Sequence, residues 1–239
     1  MPYVASAALL QVAGMLSACD TKRDAPLPVT NVSAPTSTAA TAAASSVPVS
    51  GPKRVVLAFG DSLYAGYGLE RGQSLPDAIQ ARLRGQGIDA TVVNAGVSGD
   101  TSADGRRRLA FTLDRMKAKP DLVLLGLGGN DVLRQLDPTE TRANMAAMLD
   151  ELDRRGIPVI LTGMMAPPNL GPDYTRAFNA IWPDLAKRYD AALYPFILDG
   201  VIGDGRLMQA DRVHPNRTGV DRIAARVAPV VESALGRPR

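Results

Sequence analysis

Short, almost uninterrupted apolar runs recur from residue 53 onward, and each is followed by a segment with helical spacing. Val55-Val56-Leu57-Ala58-Phe59 ends in Gly60, and Thr91-Val92-Val93 ends at Asn94. Leu122-Val123-Leu124-Leu125-Gly126-Leu127 and Pro158-Val159-Ile160-Leu161-Thr162 follow, with a weaker run over 191–196. A strand that is apolar on successive residues must be covered on both faces, whereas a half-exposed strand alternates. Helices are expected over 74–86, 102–117, 138–155, 173–189 and 217–235, the first closed by Gly85 and Gly87 and the last capped by Asn216. This alternation predicts an α/β fold: a three-layer α/β/α sandwich around a mainly parallel five-stranded sheet. Sites in such sheets form beyond the carboxyl ends of the strands, which is where chemistry should be sought.

The first 52 residues have another character. Residues 1–18 contain no charged side chain, run through Val4 to Leu10 and Met15-Leu16, and end in Leu16-Ser17-Ala18-Cys19. Small residues before a cut are the mark of a secretory signal. A Cys in that place resembles the lipobox of bacterial lipoproteins, which implies lipidation of Cys19 and an N-terminal lipid anchor in the cell envelope. The apolar stretch is broken by Gln11 and is short for a spanning helix, which needs about 20 apolar residues. Of the 33 residues from 20 to 52, 22 are Ala, Ser, Thr or Pro. Such a stretch buries too little apolar surface to offset ordering, so 19–52 reads as a disordered tether and 53–239 as the folded domain.

Composition removes several function classes. There are 27 Lys+Arg against 24 Asp+Glu, a net charge of only +3, with one dense run at Arg106-Arg107-Arg108. That is no basic stripe for nucleic acid. One Cys and one His allow neither an intrachain disulfide nor a metal centre built on several His or Cys ligands. A hydrolase here is expected to work without such a metal, and no metal or cofactor is expected.

Polar residues gather at the expected strand ends. Gly60-Asp61-Ser62-Leu63 follows the first strand, Asn94-Ala95-Gly96-Val97-Ser98-Gly99-Asp100-Thr101 the second, and Gly128-Gly129-Asn130-Asp131 the third. The only histidine lies in Asp211-Arg212-Val213-His214-Pro215-Asn216, before the last helix. Taken singly, these are helix caps, turns and a structural imidazole. Together they hold what serine hydrolysis needs: a hydroxyl, an imidazole, a carboxylate to orient it, and donors for an oxyanion.

The four blocks resemble the GDSL or SGNH hydrolase superfamily, within it the bacterial thioesterase I/lysophospholipase branch and its arylesterase-like members. The likeness runs over nearly all of 53–235, including Phe178-Asn179-Ala180-Ile181-Trp182-Pro183. It implies a flavodoxin-like sheet, with Ser62 as nucleophile, His214 as general base and then acid, and Asp211 as orienting carboxylate. It further implies that the N–H groups of Ser62 and Gly99 and the side-chain amide of Asn130 hold the oxyanion. Glycine at 99 would let backbone approach substrate without a Cβ. Asp61 and Asp131 are read as structural, and Trp182 and Phe178 as one core face.

Two near-matches fail. Gly126-Leu127-Gly128-Gly129-Asn130-Asp131 begins like a dinucleotide fingerprint but has Asp131 where the last glycine belongs. Gly60-Asp61-Ser62-Leu63-Tyr64 lacks the closing glycine of the Gly-x-Ser-x-Gly elbow.

The expected reaction is hydrolysis of carboxylic esters or thioesters, such as aryl and acyl esters or lysophospholipids, through an acyl-serine. Leu133, Leu136, Met164, Met165, Leu170 and Tyr174 are the candidate acyl-pocket residues. The alternatives are a carbohydrate or peptidoglycan O-acetylesterase and, in another class, a non-catalytic surface lipoprotein that binds a ligand. The expected location is the periplasmic side of the bacterial envelope, as a lipoprotein or otherwise secreted to the periplasm.

Overall fold

The computed structural model describes residues 48–236. The expected signal sequence, Cys19 and the tether as far as residue 47 lie outside the described residues. Five strands form one parallel sheet: β1 (Ser50–Gly60), β2 (Ile88–Gly96), β3 (Leu122–Gly126), β4 (Val159–Thr162) and β5 (Ala192–Tyr194), in the order β2-β1-β3-β4-β5. Strand β1 starts earlier than the apolar run, and the Ser50 amide donates to the Gly87 carbonyl at 2.7 Å. The last three residues assigned to the tether are therefore strand.

The chain steps from β1 outward to β2, then crosses back to β3 and continues through β4 to β5. Because parallel crossovers are right-handed, this reversal places the helices on opposite faces. Helix α2 (Leu75–Gly85) packs with α8 (Arg217–Gly236), and α3 (Ser102–Asp114) packs with α5 (Pro138–Arg154). Between the layers, Val56 to Phe59 and Leu122 to Leu125 are all buried, as uninterrupted apolar strands require. The reversal also opens a crevice at the carboxyl ends of β1 and β3.

Three departures from the sequence reading have local causes. Segments taken as plain strand-end loops are one-turn helices, α1 (Ser62–Ala65) and α4 (Gly129–Leu133), too short for any periodicity to register. The helix expected over 173–189 is two, α6 (Pro172–Asn179) and α7 (Ile181–Arg188). Pro183 lies in the first turn of α7, and its missing N–H interrupts the ladder there. Strand β2 extends on both sides of its apolar core because, at the sheet edge, mixed residues satisfy its outer surface. The last helix begins as expected, with Asn216 Oδ1 accepting the Gly219 amide at 3.0 Å.

Candidate active site

Strands β1, β2 and β3 end in Gly60, Gly96 and Gly126, which are directly paired across the sheet. A Cβ at any of the three would overlap Tyr64, which lies across this bare row. The Tyr64 ring is buried and its hydroxyl shares a 2.8 Å hydrogen bond with Thr162 Oγ1 at the end of β4. The Asn94 side-chain amide donates to the Tyr64 carbonyl at 2.9 Å. Helix α1 is thus fixed to the sheet through its third residue. Ser62, its first residue, is held in a turn whose leading N–H groups have no partner within the helix.

Asp61 caps that turn, its Oδ1 accepting the Leu63 amide at 3.0 Å. Burial pushes its carboxyl up to about 6, against the Leu63 bond and the nearby His214, which pull it down. Asp131 is also buried and takes the Ser102 amide at 2.8 Å, the Ser102 hydroxyl at 2.5 Å and the Thr141 hydroxyl at 3.1 Å. Both carboxylates bind loop and helix ends, as the sequence reading has them.

The chain brings His214 back from far along the sequence. His214 Nε2 lies 2.8 Å from Ser62 Oγ, and its Nδ1 lies 2.7 Å from Asp211 Oδ2. Asp211 Oδ1 accepts the amides of Val213 and His214 at 2.9 and 3.0 Å. These bonds, first the His214 amide and then its ring, hold the Asp211 carboxyl down at about 2. An ionised carboxylate only accepts, so Nδ1 must carry the ring proton. In the neutral imidazole Nε2 is then the acceptor, placed to take the Ser62 hydroxyl proton. Tyr67 rests on the imidazole with ring centroids 4.6 Å apart.

Gly99 and Asn130 face the same cavity as Ser62 and His214. Gly99 has φ +89°, a backbone that L-residues rarely adopt, and within the protein a Cβ there would meet only Arg134 Nη2 at 4.0 Å. Within the chain, then, conformation rather than crowding requires glycine. Asn130 Nδ2 donates to the Asp100 carbonyl at 2.9 Å, which settles which end of the amide is nitrogen. The second amide hydrogen remains for a ligand. Thr101 ends this loop as the N-cap of α3, in a reciprocal capping box with Asp104.

The cavity measures about 520 Å³ and its wall is mainly apolar. Leu133, Met164 and Met165 line it as expected. Leu136, Leu170 and Tyr174 do not: the Tyr174 hydroxyl donates to the Leu136 carbonyl, its ring stacks on Phe178, and Leu170 packs against the core. Phe178 in turn meets Trp182 edge-on in the core. The sequence reading missed Phe196, Leu198, Ile202 and Val213, which complete the wall from the stretch between β5 and His214. That stretch carries no regular periodicity to flag it.

A hydroxyl, an imidazole and a carboxylate in line at the strand ends of a parallel α/β sheet, beside an apolar cavity, have the arrangement of a serine hydrolase. Residues 58–222 match the GDSL-like Lipase/Acylhydrolase family, and the chain belongs to that family. It is 40% identical to Esterase TesA of Pseudomonas aeruginosa over 182 residues, 76% of this chain and 90% of the relative. It is 36% identical to Thioesterase 1/protease 1/lysophospholipase L1 of Escherichia coli K12 over 180 residues, 74% of this chain and 84% of the relative. Among solved structures, the SGNH-hydrolase family esterase AlinE4 is 50% identical, with a TM-score of 0.66, covering 79% of this chain and all of that one. The protein is a serine esterase acting on carboxylic esters or thioesters.

Proposed function

We propose that Ser62 is the nucleophile, His214 its base and then acid, and Asp211 the group that fixes the imidazole. The observation that carries this is the continuous pair of bonds from Ser62 Oγ to His214 Nε2 at 2.8 Å and from His214 Nδ1 to Asp211 Oδ2 at 2.7 Å. Ser62 Oγ attacks the acyl carbon as its proton passes to Nε2. The tetrahedral oxyanion is held by the N–H groups of Ser62 and Gly99 and by Asn130 Nδ2. Collapse breaks the bond to the leaving oxygen or sulfur, which takes the proton from Nε2. Water then gives a proton to Nε2 and its oxygen to the acyl carbon, and the returning proton frees Ser62. The apolar wall fits an acyl chain, so aryl and acyl esters and lysophospholipids fit better than an acetylated glycan.

The anchor is part of the same proposal. Leu16-Ser17-Ala18-Cys19 supports lipidation at Cys19 and attachment to the bacterial envelope on the periplasmic side, with 19–47 and the short lead to β1 as tether. Among the described residues no helix is long and apolar enough to cross a membrane. An envelope location makes cytosolic acyl-CoA a poor candidate substrate.

A fluorophosphonate probe tests the nucleophile. The wild type should be labelled at Ser62, and Ser62→Ala should lose both labelling and ester hydrolysis while staying folded. Labelling of another serine in that variant, with activity retained, overturns the assignment.

A further inference from the structure

The proposed oxyanion donors come from three strand ends, and one side chain outside the cavity wall ties two of them together. Arg108, on the second turn of α3, donates from Nη2 to the Gly60 carbonyl at 2.8 Å and from Nε to Asp100 Oδ2 at 2.6 Å. Gly60 is the last residue of β1, and Asp61 and Ser62 follow it directly. Its carbonyl also accepts the Val97 amide at 3.0 Å, so both bonds hold the end of β1 against the loop after β2. Asp100 follows Gly99, and its carbonyl is the acceptor that aims Asn130. The guanidinium itself lies over Phe59, with Cζ 3.8 Å from the ring centroid. Phe59 is fully buried in β1, so the cation rests against a side chain held by the core.

Every donor of the proposed oxyanion hole therefore stands within two residues of a group that Arg108 holds, or is aimed by one. We propose that Arg108 is a positioning residue for the esterase reaction: it sets the spacing of the Ser62 and Gly99 amides and, through Asp100, the direction of the Asn130 amide. The proposal rests on the assignment of those three donors made above. A guanidinium is suited to this because its planar fork donates in two fixed directions while its face stacks on an aromatic ring. A lysine keeps the charge but cannot make both bonds and the stack at once. The exposed neighbours Arg106 and Arg107 have neither bond, pairing instead with Asn144 and Asp104, so within the basic run only the third member reaches the strand ends.

The test compares Arg108→Gln, Arg108→Lys and Asp100→Asn with wild type, alone and combined with Asn130→Ala. Each is assayed for kcat and KM on an aryl ester and for inhibition by a trifluoromethyl ketone, whose serine adduct carries an oxyanion. Arg108→Gln is expected to lower kcat about tenfold or more, short of the roughly 10²–10³ of losing a donor outright, with KM within about twofold. Affinity for the ketone should fall by the same factor as kcat/KM. Arg108→Lys should recover less than half of the loss on a logarithmic scale, and Asp100→Asn, which keeps the side-chain shape, should show the same pattern. In the Asn130→Ala background the Arg108→Gln effect should shrink without vanishing, because the part carried through Asp100 to Asn130 is gone while the hold on the Ser62 and Gly99 amides remains. If Arg108→Gln lowers thermal stability while kcat and ketone affinity stay within twofold, the residue is structural only and the proposal fails. If Asn130→Ala alone hydrolyses at the wild-type rate, the donor assignment falls first and the proposal falls with it.

Discussion

Asn130 Nδ2 and the Asp100 carbonyl are 2.9 Å apart, and that one bond fixes an uncharged amide in the wall of the cavity that Ser62 also lines. The amide has two hydrogens, so one can be spent on alignment and the other on substrate. Alanine at 130 removes both. Turnover should drop about 10²–10³-fold with the fold intact, the usual cost of an oxyanion donor. Asn130→Asp should be at least as damaging, since a carboxylate would repel both the Asp100 carbonyl and the developing charge. The check is kcat alongside far-ultraviolet circular dichroism. A loss under about fivefold for alanine rules out Asn130 as a donor.

Gly99 is tied to its conformation. At φ +89°, alanine meets no steric wall in the protein but costs roughly 1–2 kcal/mol in backbone strain. If the loop keeps its shape, the melting temperature of Gly99→Ala should fall by roughly 2–8 °C. If the strain is relieved by rotating the peptide, the Gly99 N–H turns away and kcat drops by tenfold or more on the donor scale. Differential scanning calorimetry and initial rates read the two outcomes. A variant matching wild type in both would remove any special role for this glycine.

The parts of this site legible in the sequence are those whose chemistry is rare. A single histidine with a carboxylate three residues before it leaves one choice of imidazole, while the serine, glycine and asparagine at successive strand ends take their roles from the resemblance to GDSL or SGNH hydrolases. The strand core was legible for a related reason: Leu122 to Leu125 has no polar face to show. What stayed hidden depends on contacts rather than on pattern. Gly60, Gly96 and Gly126 read as ordinary turn glycines, yet Tyr64 needs all three bare. Arg108 sits in a run of three arginines, and only the fold separates the one facing Asp100 from its solvated neighbours. Leu136 and Tyr174 lie close in sequence to wall residues, and nothing in their pattern reveals that the Tyr174 hydroxyl is spent on the Leu136 carbonyl and its ring on Phe178.

Asp61 makes a pH prediction for stability. Its folded carboxyl is raised to about 6 from an ordinary 3.8, chiefly by burial, with the charges of Asp131 and Asp100 adding to it. Between those two values the folded protein holds a proton that the unfolded chain has lost. Stability from this group therefore rises as pH falls from about 6 toward 4, and is lost as pH climbs back through 6. Asn at 61 can still accept the Leu63 amide through Oδ1 but does not titrate. Relative to Asp61→Asn, the wild type should gain roughly 2–3 kcal/mol between pH 7 and pH 4, at 1.36 kcal/mol per unit. Urea denaturation of both proteins across that range gives the difference. A constant gap, or one of opposite slope, would mean that Asp61 is ionised throughout.

The cavity wall makes the last prediction, about acyl length. Burying one methylene against an apolar wall is worth about 0.8 kcal/mol, or roughly a fourfold gain in kcat/KM. Across 4-nitrophenyl esters, kcat/KM should climb by up to that factor per added carbon from acetate onward. It should level off once the chain has filled the cavity of about 520 Å³. Met165 and Ile202 line the cavity yet are about half exposed, at 48% and 51%, so changing them disturbs little packing. Met165→Ser and Ile202→Ser should flatten the slope for the longer esters more than they slow acetate, with little change in melting temperature. The wall residues Leu198 and Met164 are buried, and there an added polar group would cost stability as well, which is why the exposed pair isolates substrate contact from folding. If acetate is the best ester and each added carbon lowers kcat/KM, the wall is not an acyl site, and hydrolysis of acetylated glycans becomes the better account of the enzyme.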